Sequence, residues 1–260
     1  MLHNFPDSVS AMGMSVAIIT GASAGIGEAL GRALHKRGWK VGLIARRTEA
    51  LNRIVIDLGE RAAFSPADVT DRESVSTAIR TLEQMLGPCD LLIANAGIGV
   101  NNPAARFDLD DAVRVFRVNI DGVLNASAAV LPAMLERGSG HVAVMSSVAG
   151  YRGLPNAGPY CASKAAVTSL YESWRVELAP KGIAVTTIHP GFIETAMTAK
   201  NKHPMPFLMN VDKAADIMAR GLIKKKREVN VPWQMGTLMK VVKWLPNPVF
   251  DWALRKAATF

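Results

Sequence analysis

Short runs rich in Val, Ile and Leu alternate with longer stretches of helical period from Ser15 to Val231. No other feature limits the fold as much. Strands are expected at Val16–Thr20, Lys40–Ala45, 61–67, 89–94, 141–146, 183–189 and Glu228–Val231. Helices are expected over 25–37, up to Leu58, up to Leu86, 108–137 and 157–179. Thr70 and Glu73 have the spacing of a capping box for the helix that reaches Leu86. Strands separated by helices throughout imply βαβ units, so the expected fold is α/β, a single doubly wound Rossmann-like domain. Its central parallel sheet would be flanked by helices on both faces. The domain should occupy 14–260, after a flexible lead over 1–13, with 195–260 as a substrate cover and a basic, apolar C-terminal extension.

Charge enters where the chain stops being regular. The formal net charge is +8, and all of it falls in residues 200–260, which hold 12 Lys/Arg against 4 Asp/Glu. The run 224–227 reads either as a solvated face or as contact with an anionic partner, a membrane surface before a nucleic acid. No nucleic-acid recognition motif accompanies it. Two cysteines, Cys89 and Cys161, make no disulfide framework. No apolar run approaches the ~20 residues of a bilayer span, and no secretory leader is visible. A cytoplasmic location is expected, with membrane-surface association as the alternative. No metal centre is expected.

The first strand runs directly into Thr20-Gly21-Ala22-Ser23-Ala24-Gly25-Ile26-Gly27, and a helix follows. Alone such a turn is merely tight. After the first strand of a βαβ unit, its glycines let backbone approach a pyrophosphate, and the helix N-terminus offers N–H groups to phosphate oxygens. The second strand ends in Ala45, Arg46 and Arg47 where a carboxylate would hold a ribose 2′-hydroxyl. Guanidinium groups there favour a 2′-phosphate; two solvated arginines are the plainer reading. NADP(H) is therefore expected, with NAD(H) as the alternative. Tyr160 and Lys164, four apart on a helix, share a face. A phenol titrates near ~10, and a nearby ammonium should lower it towards use as a general acid–base group. A surface pair is the alternative.

Taken in order, Thr20–Gly27, Asp68, Asn95-Ala96-Gly97, Asn119, Ser147, Tyr160-Cys-Ala-Ser-Lys164 and Pro190-Gly191 followed by Thr195 closely resemble the short-chain dehydrogenase/reductase family. The resemblance is strong over 14–195. It implies that Tyr160 exchanges a proton with the substrate oxygen and that Lys164 holds the nicotinamide ribose. Ser147, thirteen residues before Tyr160, would bind the carbonyl oxygen in preference to Ser146. Asn119 would sit at a helix kink and hold a relay water. The resemblance further implies cofactor contacts from Gly21, Ser23, Ala24, Gly25, Ile26 and Gly27 around the turn. Asp68 and Val69 would meet the adenine, Asn95, Ala96 and Gly97 the adenosine ribose, and Pro190, Gly191, Ile193 and Thr195 the nicotinamide side.

The implied activity is interconversion of an alcohol and a ketone or aldehyde, by a homodimer or homotetramer built on the two long helices. A non-catalytic nucleotide sensor on this fold would typically lack the tyrosine or lysine. Met197, Met205, Phe207, Leu208 and Met209 suit a bulky apolar substrate, or else pack a helix. Residues 233–256 mix Trp233, Trp244 and Trp252 with Lys240, Lys243, Arg255 and Lys256. That composition serves either subunit packing or an interfacial membrane helix.

Overall fold

The computed structural model describes residues 14–201 and 204–258; the expected lead over 1–13 lies outside them. Seven parallel strands form one sheet: β1 Val16–Thr20, β2 Lys40–Ala45, β3 Ala62–Pro66, β4 Leu91–Ala94, β5 Gly140–Met145, β6 Ile183–Pro190 and β7 Glu228–Val231. Their order is β3-β2-β1-β4-β5-β6-β7. The direction of winding reverses between β1 and β4. In open α/β sheets a ligand crevice opens at that point, beyond the carboxyl ends of the strands.

The helices are α1 Gly25–His35, α2 Thr48–Leu58, α3 Arg72–Leu86, α4 Leu109–Phe116, α5 Gly122–Glu136, α6 Gly158–Leu178, α7 Val211–Ile223, α8 Trp233–Trp244 and α9 Asn247–Ala258. They cover both faces because the strands are apolar on both sides. One core layer holds Val75, Ile79, Leu82, Val123, Val130 and Tyr171. The other holds Leu30, Leu34, Leu51, Ala215, Met218 and Leu222.

Two local expectations are corrected. The cap of α3 is Asp71, not Thr70: its carboxylate accepts from the Glu73 and Ser74 N–H groups at 3.0 and 3.1 Å. Thr70 instead donates its N–H and hydroxyl to Asp68. The long helix over 108–137 is interrupted by a π turn, Arg117–Asp121. By length and composition Leu109–Glu136 could cross a bilayer. It is a helix packed on the sheet, however, burying Val115, Val123, Ala126 and Val130.

Candidate active site

Each strand of the central sheet delivers residues to the same carboxyl edge. At the end of β1, the Thr20 hydroxyl accepts the N–H groups of Asn95 and Ala96 at 3.0 and 3.1 Å. The Asn95 amide donates to the Thr20 carbonyl at 2.8 Å. This knits β1 to β4 at the reversal point and fixes the glycine turn above it. Gly21 has φ +67°, and a Cβ there would meet Ala96 Cα at 2.7 Å. A Cβ on Gly27 would lie 2.5 Å from both Asn95 Nδ2 and the Gly21 carbonyl. Gly25, at φ +59°, borders Thr195, so the turn and the segment after β6 face each other.

The N-cap of α1 is Ala24, whose side chain caps nothing. The first-turn N–H groups around Gly25, Ile26 and Gly27 thus lack a side-chain acceptor and present the positive end of the helix to the crevice. A phosphate group fits that donor set. At the end of β2, Arg47 donates to the Ser23 hydroxyl and carbonyl at 3.0–3.1 Å. Arg46 is 73% exposed and reaches Asp68 at 3.7 Å. Asp68 is held below the usual carboxylate range, first by the Thr70 N–H and further by the Thr70 hydroxyl and Arg46. Three expected contacts are narrowed. The side chain of Val69 is buried beneath Gly122, and its carbonyl takes the Asn125 amide. Ile193 is buried in the core, so only backbone atoms of these two residues can face a ligand. Gly191 is small because Met235 of α8 packs on it: a Cβ would meet Met235 Cγ at 2.9 Å.

Asn119, Ser147, Tyr160 and Lys164 come together around the ends of β4 and β5. Asn119 lies in the π turn and is fully buried. Its Oδ1 accepts the Ile98 N–H at 2.8 Å, and its Nδ2 donates to the Ile98 carbonyl and to Ser163 at 2.9 Å each. With the carboxamide so occupied, it holds the chain after β4 against α6. Lys164 Nζ donates to the Met145 carbonyl at 2.8 Å and lies 5.8 Å from the Tyr160 ring centre. A Cβ added to Gly97 would sit 3.2 Å from Lys164 Nζ and 3.3 Å from Asn119 Oδ1; glycine there lets the two groups converge. Ser147 donates to the Pro190 carbonyl at 3.4 Å and accepts the Ala149 N–H at 3.1 Å. Its hydroxyl also favours ionisation of the Tyr160 phenol. Ser146 is turned away and donates to the Lys164 carbonyl.

The expected lowering of the phenol by its lysine is absent from the protein alone. Burial holds Tyr160 above its ordinary value, and the neighbouring Ser147 hydroxyl offsets this only in part. Burial also pushes Lys164 down from 10.5 to about 8, since charged groups are costly to desolvate.

A cluster that sequence reasoning missed braces Ser147 from below. His189, on β6, places Nδ1 3.3 Å from the Ser147 carbonyl. Its ring stacks on Tyr151 at 4.7 Å, and Nε2 lies 3.6 Å from Glu228. Tyr151 and Lys240 donate to Glu228 at 2.5 and 2.6 Å. Burial would raise Glu228, but these donors with Asn230 hold it down to about 2. Tyr151 and Glu228 are 77 residues apart, and no local signal links them.

Residues 15–206 match the short chain dehydrogenase family. A relative from Myxococcus xanthus, named an uncharacterized oxidoreductase, is 38% identical over 249 residues, covering 94% of this chain and 98% of its own. An alcohol dehydrogenase from Thermococcus sibiricus, solved with 5-hydroxy-NADP, matches with a TM-score of 0.74 at 28% identity. That match covers 84% of this chain and 94% of the other. A 3-ketoacyl-(acyl-carrier-protein) reductase from Brucella melitensis, solved with NADH, matches at 0.77 and 26% identity, covering 84% and 97%.

Proposed function

Because this chain belongs to the short-chain dehydrogenase family and is an oxidoreductase served by a nicotinamide cofactor, we propose that it interconverts an apolar alcohol and its ketone or aldehyde, with Tyr160 as acid and base. The observation that carries this reading is the convergence of Tyr160, Ser147, Lys164 and Asn119 beside the uncapped start of α1. When bound, the nicotinamide supplies a hydride to the carbonyl carbon or takes one from the alcohol carbon. Ser147 donates a hydrogen bond to the substrate oxygen and orients it. Tyr160 gives that oxygen its proton in reduction and takes it back in oxidation. Burial keeps the phenol protonated, which suits reduction. Lys164 holds the ribose hydroxyls and supplies positive charge, while Asn119 fixes the π turn beside it and the backbone for a relay water. Gly21, Ser23, Ala24, Gly25, Ile26 and Gly27 cradle the phosphates. Asp68 and Val69 border the adenine, Asn95, Ala96 and Gly97 the ribose, and Pro190, Gly191, Ile193 and Thr195 the carboxamide.

NADP(H) is preferred in this reading. Arg47 secures the turn through Ser23, leaving Arg46 as the guanidinium placed to meet a 2′-phosphate in exchange for its long contact with Asp68. Support for an apolar substrate comes from Gly99, where a Cβ would lie 3.6 Å from the Tyr160 ring and 3.9 Å from Met197 Sδ, and from Phe207 and Leu208, exposed in the same cover. NADPH oxidation with a panel of ketones tests the proposal. Turnover with at least one apolar ketone is expected, and Arg46→Asp should move preference towards NADH. A protein that binds neither reduced dinucleotide would end the proposal.

A further inference from the structure

Helix α8 buries one face and leaves the opposite face uncovered. Met235 and Gly236 pack inwards, on Gly191 and Asn230. Trp233, Thr237, Leu238, Val241 and Trp244 are all exposed, at spacings of four, one, three and three that put them on one side of a helix roughly 18 Å long. Trp233 is 68% exposed and Trp244 83%. Exposed apolar residues scattered singly are ordinary, whereas a continuous stripe of this size marks an interaction site. Val249 extends the apolar surface onto α9.

Cations surround the stripe. Lys240 and Lys243 are exposed on α8, and so is the whole run 224–227. Lys240 donates to Glu228, the residue that follows the run, so the run and α8 share the β7 edge of the sheet. Residues 224–243 hold six basic residues and one acidic. That one acid, Glu228, is already engaged by Lys240 and Tyr151.

We infer that this edge docks on an anionic lipid bilayer, with α8 lying flat in the interface. Tryptophan suits the boundary between headgroups and chains, and lysines beside it meet anionic headgroups. A second copy of this chain would bring one cationic face against another. A nucleic acid would leave the tryptophan and valine stripe without an apolar counterpart. The docked helix also walls the site: Met235 covers Gly191, the neighbour of Pro190, whose carbonyl takes the Ser147 hydroxyl.

Flotation of the full chain with vesicles tests the inference independently of any turnover. Recovery with phosphatidylcholine–phosphatidylglycerol vesicles should exceed that with phosphatidylcholine alone at least about tenfold, and should fall in high salt. Val241→Ser with Trp244→Ser should abolish flotation, and Lys224→Glu with Lys243→Glu should weaken it at least about tenfold. Both variants should stay folded and melt within a few degrees of the parent, because every substituted side chain is exposed and the only added cost is that of acidic groups at the ends of α7 and α8. Equal flotation of parent and variants would overturn the inference. So would no flotation on anionic vesicles together with a solution mass that Trp244→Ser lowers, which would give the face to a second copy.

Discussion

Lys164 is a residue on which stability and chemistry pull in opposite directions. Its ammonium is buried, donates a hydrogen bond to the Met145 carbonyl, and is pushed down to about 8 from an ordinary 10.5. The folded chain therefore gives up this proton before the unfolded chain does. Stability should rise with pH between about 8 and 10.5, and the full cost of burying the charge is felt below 8. Lys164→Met should accordingly melt higher than the parent at pH 7, by a few degrees for each ~1 kcal/mol regained, with the gain shrinking towards pH 10.5. The same variant should lose roughly 10²-fold or more in turnover. Calorimetry and NADPH assays across pH check both halves, and a variant that melts lower at pH 7 would refute the burial argument. Tyr160→Phe should keep the fold and lose about 10²–10⁴-fold in kcat. Glu228→Gln tests the brace below Ser147. The depressed carboxylate contributes stability above its ordinary 4.5, and that contribution is lost as pH falls towards about 2. The variant should thus be less stable than the parent at pH 7 and indistinguishable from it near pH 2. Tyr160, Lys164 and Ser147 were legible from their spacing, but the direction in which burial moves the titration of Tyr160 and Lys164 was not. That direction depends on atoms contributed by β5, β6 and α6 together.

At the scale of elements, the junction of β1 and α1 combines local and distant requirements. The turn needs positive φ at Gly21 and Gly25, a short-range demand that the glycine pattern announces. Gly27 is different: its φ is ordinary, and glycine is needed there because the Gly21 carbonyl of the turn and the Asn95 amide, just after β4, both close on it. Gly27→Ala should displace that contact and weaken dinucleotide binding at least about tenfold, measured by calorimetric titration. A second comparison separates the observed cap of α3 from the expected one. Asp71→Ala should cost about 1 kcal/mol in denaturant unfolding, and Thr70→Ala less. The order would reverse if Thr70 were the cap. The capping-box spacing misled because Asp71, one residue later, competes for the same N–H groups.

Across the whole molecule, apolar side chains stay exposed on the helices expected to pair subunits. Leu109, Val113, Phe116, Leu124 and Leu135 lie exposed along α4 and α5, and Val176 on α6. A dimer or tetramer through these faces should appear by light scattering. Phe116→Glu with Val176→Glu should shift it to monomer while a lone Trp244→Ser does not. The reverse result would place the subunit contact on α8.

The strand and helix alternation, the glycine turn and the spacing of Ser147, Tyr160 and Lys164 belonged to the sequence alone. Each is a short-range pattern, and a parallel doubly wound sheet then brings the strand ends to one edge. Tertiary structure alone decided which side of α8 is left uncovered, and that Tyr151, His189 and Glu228 meet. Those outcomes depend on burial and on contacts between residues far apart in the chain, and no local pattern of residues encodes either.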